Sequence, residues 1–84
     1  MIEMIKVVTT EFKNNELQGT DDYLITLDTY QRIAESVPTK QIQINGAIES
    51  PEFHSNGQLK RLISVSANGR HETIRTFIKT KVNP

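Results

Sequence analysis

Runs of β-branched and aromatic residues recur along this chain, alternate cleanly with polar residues at 41 to 44, and give way to helical spacing once. Residues 2 to 12 (IEMIKVVTTEF) are rich in β-branched and aromatic types, which fit a pleated surface, and predict a first strand. Lys13-Asn14-Asn15-Glu16 and Gly19-Thr20-Asp21-Asp22 then supply turn chemistry, and Tyr23-Leu24-Ile25 resumes as a short second strand. Leu27, Tyr30, Ile33, Ala34 and Val37 recur three or four residues apart, which predicts one helix near residues 27 to 36 with a single apolar stripe. Its ends are marked by local chemistry. Thr26 suits the N-cap, Asp28 places negative charge in the first turn, and Ile25 and Tyr30 occupy the positions of a hydrophobic staple. Pro38 stops the helix because it has no amide proton and bars the residue before it from the α region. Asp28, Gln31, Arg32 and Glu35 form the opposite stripe, read as solvated surface.

Three Asn-Gly pairs, Asn45-Gly46, Asn56-Gly57 and Asn68-Gly69, punctuate the second half, with β-rich runs between and after them. Both residues of a type I′ hairpin turn need positive φ, which glycine adopts freely and asparagine tolerates, so the pairs predict an antiparallel meander. Gln41-Ile42-Gln43-Ile44 alternates and Ala47-Ile48 continues beyond the first turn. Pro51 should end pairing or mark an edge, and residues 49 to 57 read as an exposed loop. A two-residue turn at Asn68-Gly69 sets the register of the last two runs, 58 to 67 and 70 to 82. Ile63 then faces Ile74, with Leu59 and Ile78, Val65 and Glu72, and Arg61 and Thr76 on the same side, which is the expected core face. The opposite side pairs Leu62 with Arg75, Lys60 with Phe77, Gln58 with Lys79 and Ser64 with Thr73. The expected fold is α+β, one domain over residues 1–84 in the order ββαββββ: a small antiparallel meander sheet or partly open barrel with one packed helix.

Eighty-four residues bury a smaller share of their surface than a larger domain does, and a homodimer would relieve that. The chain contains no cysteine, which excludes a disulfide staple and a thiolate metal site. Its start lacks the basic and long apolar regions of a signal peptide, and no run approaches a membrane span, so a cytoplasmic protein is expected. The net charge of zero hides an asymmetry. Residues 1 to 37 hold three Lys or Arg and seven Asp or Glu, whereas residues 38 to 84 hold seven and three. Such segregation fits either an anion-binding face or attraction between the two halves.

Lys60, Arg75 and Lys79 around Phe77 make a surface suited to single-stranded nucleic acid, with cations on phosphates and a ring on a base. The alternative is a protein-interaction module, an inhibitor or assembly component, that buries Leu62 and Phe77 against a partner or second subunit. His54 and His71 are 17 residues apart and outside any ligand spacing, so surface positions are expected and no metal. Ser55 beside His54 lacks the strand-turn-helix elbow of a hydrolase, Asp21-Asp22 lacks a calcium-loop spacing, and no glycine-rich phosphate cradle occurs. A nonenzymatic binding module without a cofactor is the expectation.

Residues 44 to 70 carry a further signal. Ile44-Asn45-Gly46, Pro51-Glu52, Asn56-Gly57-Gln58 and Ile63-Ser64-Val65-Ser66-Ala67-Asn68 resemble the first two strands of bacterial single-stranded DNA-binding proteins. In that family an Ile-x-Gly strand leads to an Asp-Pro-Glu turn, an Asn-Gly-Gln-like turn and a strand resembling Phe-Ser-Val-Ala. Ser50 stands here in place of the Asp, the family's Trp residues are missing, and the predicted helix precedes the segment where the family's oligonucleotide-binding barrel places it later. The resemblance, which covers about a third of the chain, implies a stacking role for Phe77 and a backbone-binding role for Arg75. Size and composition suggest a small accessory protein of the kind found in phages and mobile elements.

Overall fold

A computed structural model describes residues 1–83. Its elements are β1 (Ile2–Lys13), β2 (Glu16–Ile25), α1 (Leu27–Ser36), β3 (Ile42–Ile44), β4 (Ala47–Phe53), β5 (Leu59–Val65) and β6 (His71–Val82). All six strands join one antiparallel sheet in the order β2-β1-β6-β5-β4-β3, with β1 and β6 pairing over their whole lengths. β2 and β3 are its edges, so the sheet is open and not a closed barrel. No helix among the described residues is long and apolar enough to cross a membrane.

Local chemistry explains where the elements exceed their expected lengths. Asn14 and Asn15 both take positive φ, 52° and 66°, so they alone turn β1 into β2. β2 therefore begins at Glu16, and the segment expected to be a loop, Gly19 to Asp22, lies within an edge strand. There its charged residues oppose pairing with another chain. β4 likewise runs through Pro51, which pairs with Leu62 of β5. β3 reaches only to Glu49, so β4 is free on its other side at Pro51 and the missing amide proton leaves no gap in a ladder. Of the three Asn-Gly pairs, only Asn45-Gly46 has positive φ at both residues. Asn56 and Asn68 instead use their side chains: their Oδ1 atoms accept from the backbone N–H groups of Gln58 and Arg70 at 2.9 Å. Asn68-Gly69 is therefore part of a four-residue connection closed by Ser66 N–H donating to the His71 carbonyl at 2.9 Å. The strand register is unchanged by this. Ile63 faces Ile74, Leu62 faces Arg75, Arg61 faces Thr76 and Val65 faces Glu72.

The helix forms as its caps require. Thr26 Oγ1 accepts from the Thr29 N–H at 3.1 Å, and the Val37 N–H closes the last turn on the Ile33 carbonyl. It covers the side of the sheet opposite to the one expected. Thr26 alone separates β2 from α1, and Ile25 pairs with Ile5, so the chain enters the helix on the Ile5 side. Val7 faces Phe77 in the same ladder and falls on that side too. The core is therefore Ile5, Val7, Tyr30, Leu59, Leu62 and Phe77, with Ile25, Ile33, Ala34 and Val37 packed against it. Leu59 reaches this side through a β-bulge: Glu52 faces Arg61 but Phe53 faces Leu59, so Lys60 is an extra residue and alternation breaks there. Ile63, Val65, Ile74 and Ile78, expected in the core, line the side without a helix.

Adjacent residues on β6 thus test the face assignment. Phe77 is 6 % exposed and Ile78 45 %. Phe77→Ala should cost about 3–5 kcal/mol in denaturant unfolding, and Ile78→Ala in dilute protein less than about 1 kcal/mol. Equal losses would place the core wrongly.

Candidate functional site

The basic cluster around Phe77 assembles only in part. The Phe77 ring lies beneath α1 with its centroid 5.6 Å from that of Tyr30 at an interplanar angle of 59°, a tilted aromatic pair. No face of the ring is free for a base, so the stacking role expected of it gives way to a core role. Leu62 is also in the core, at 8 % exposure, and is not an exposed partner contact. Both corrections have one cause, the side on which the helix sits. Lys60 and Lys79 line a cleft of about 500 Å³ together with Tyr30, His54 and Leu59, where the β5–β6 ladder has not yet begun. Arg75 lies on the other side of Phe77 from Lys79, lining one depression with Thr9, Glu11, Asp21 and Tyr23 and a second with Glu49, Leu62 and Phe77. Two of the three expected phosphate contacts are thus together, and the third stands among acids.

Tyr30 anchors the floor of that cleft. Its hydroxyl donates to the Leu59 carbonyl at 2.6 Å, at the strand residue that the bulge turns inward. Burial pushes its pKa above the ordinary tyrosine value, so it stays protonated and able to donate through the neutral range. His54 borders the same cleft, whereas His71 opens β6 and faces Lys13. Among the described residues no three His, Cys, Asp or Glu side chains come together as a metal site.

The other candidate is the side of the sheet that carries no helix. Strand alternation places Val8, Phe12, Ile48, Ile63, Val65 and Ile74 there. Where the helix side is itself uncovered, beyond α1, the corresponding residues are Thr9, Glu11, Asp21, Tyr23, Ser64, Thr73 and Arg75, with Ile44 on β3. One open region is mostly polar and the other has an apolar centre. The charges on the apolar side include Lys6 paired with Asp22 and Arg61 paired with Glu52, both at 3.6 Å. Glu72, between Phe12 and Val65, has no ion pair among the described residues, and the Arg61 Nε atom is buried without an acceptor. Sequence periodicity placed Ile63, Val65, Ile74, Arg61 and Glu72 together on one face but assigned that face to the interior.

No protein-family model, curated protein or solved structure matches this chain. The two candidate regions therefore rest on their own geometry.

Tyr30 gives a test with a sign. Its folded pKa lies above the unfolded value near 10, so the stability tied to its proton is complete below about pH 10 and falls as pH rises further. Tyr30→Phe should cost about 1 kcal/mol at neutral pH, by leaving the Leu59 carbonyl unpaired, and should flatten the alkaline decline in a series of denaturant melts. An unchanged alkaline slope in the variant would assign that decline to other groups.

Proposed function

We propose that this chain is a nonenzymatic protein-interaction module that docks another protein surface on the helix-free side of its sheet. The observation that carries this reading is the contrast between the two uncovered regions. The open part of the helix side has mainly Thr, Ser and charged groups, with Tyr23 and Ile44 among them, whereas the opposite side has Val8, Phe12, Ile63, Val65 and Ile74 about its centre, interrupted by Thr10 and Thr76. A half-exposed apolar centre of this kind, on a face that no helix covers, fits an association site in a protein that otherwise keeps its surface polar. An inhibitor or assembly component fits it. Single-strand binding would have to proceed through Lys60 and Lys79 without Phe77, the ring expected to stack on a base.

Photo-crosslinking from the two sides tests the reading. With p-benzoylphenylalanine at Ile74, at the centre of the open side, irradiation in the producing cells should give a discrete protein adduct. The same group at Arg32, on the outer stripe of α1, should give none. Adducts from Arg32 alone, or salt-sensitive binding of a single-stranded oligonucleotide with no adduct from Ile74, would contradict the proposal.

A further inference from the structure

We infer that the occupant of the open side is a second copy of this chain, packed sheet to sheet about a two-fold axis with both helices outermost. This rests on the reading of that side as a docking surface and adds the identity of the partner. Area is the first support. The chain exposes 5927 Å² at 9.6 kDa, where a folded monomer of that mass exposes about 5,100 Å². The excess of roughly 800 Å² is what one partner contributes to an interface of standard size. A molecule of 43 × 27 × 19 Å has a broad enough face to supply it.

Charge is the second support. The open side carries Lys6 and Arg61 against Asp22, Glu52 and Glu72, so it has both signs and no excess that would select a strongly acidic or basic partner. Such a surface complements itself. Arg61 and Val65 lie two residues to either side of Ile63, and Thr76 and Glu72 two residues to either side of Ile74. A two-fold axis between the sheets, crossing the strands at the Ile63 and Ile74 pair, stacks that pair on its copy. The same operation carries Arg61 over the Val65 and Glu72 pair of the second copy. The guanidinium, held in its own chain by one 3.6 Å contact with Glu52, would then meet the carboxylate that has no ion pair. Sheets packed about 10 Å apart leave room for this reach.

The two-fold makes its own test. By sedimentation equilibrium at micromolar concentration, the wild type should have twice the 9.6 kDa chain mass. Ile74→Lys should be monomeric while keeping its circular dichroism spectrum. Arg61→Glu and Glu72→Arg should each weaken the dimer by roughly 10-fold or more, and the double variant should regain most of that affinity. A monomeric wild type would overturn the inference, as would a dimer that Ile74→Lys leaves intact. Failure of the double variant to recover would overturn the Arg61–Glu72 pairing and the axis that creates it. A monomeric wild type whose Ile74 position still crosslinks to a different protein leaves the interaction module standing and removes only the second copy. With no crosslink either, both fail.

Discussion

The seating of α1 on β1, β5 and β6 decides everything else about this domain. Tyr30 joins the helix to the sheet in two ways, by its ring against Phe77 and by its hydroxyl on the Leu59 carbonyl. The second bond depends on the bulge at Lys60, which turns Leu59 towards the helix and presents its carbonyl at that point. An aromatic pair of this geometry contributes about 0.5–1.5 kcal/mol beyond the area that it buries. Its larger effect is topological. Once the helix occupies the Val7 and Phe77 side, Ile63, Val65 and Ile74 are left facing outward.

A single ten-residue helix is too short to cover a sheet of this size. The covered region is limited to the middle of the helix side, and beyond it the strands become mostly polar, with Tyr23 and Ile44 as exceptions. The opposite side does not follow that rule. A chain of this length gains from burying more apolar surface than its own elements can cover, and sheet-on-sheet association supplies that surface without another helix. The acidic edge strand β2 fits the same picture. Asp21 and Asp22 discourage growth through that edge.

Much of the architecture was legible in the sequence. The helix was marked at both ends by Thr26 and Pro38, and the register of β5 on β6 followed from alternation about Ile63 and Ile74, even though the connecting turn proved to be of another type. The length of β2 was hidden because Asn14-Asn15 turns the chain with two asparagines and no glycine. Pro51 suggested a loop because sequence alone could not show that the pairing of β3 with β4 ends at Glu49, short of Pro51. The face assignment failed for a more informative reason. Both sides of the sheet are rich in apolar residues, and counting them selected Ile63, Val65, Ile74 and Ile78 over Val7, Leu62 and Phe77. The bulge at Lys60 also moved Leu59 from one side to the other. Of the candidate residues, Phe77 and Leu62 changed from surface to core with that face, and Arg75 was separated from Lys60 and Lys79 by the end of the helix.

The central claim is that one side of the sheet is buried within the chain and the other between chains. Solvent paramagnetic relaxation of methyl protons, followed through a dilution series, measures both at once. Val7 methyls should be protected at every concentration, and Ile63 and Ile74 methyls should be protected in concentrated protein and relax rapidly on dilution. Free relaxation of Ile63 and Ile74 at every concentration, or an exposed Val7, would contradict it.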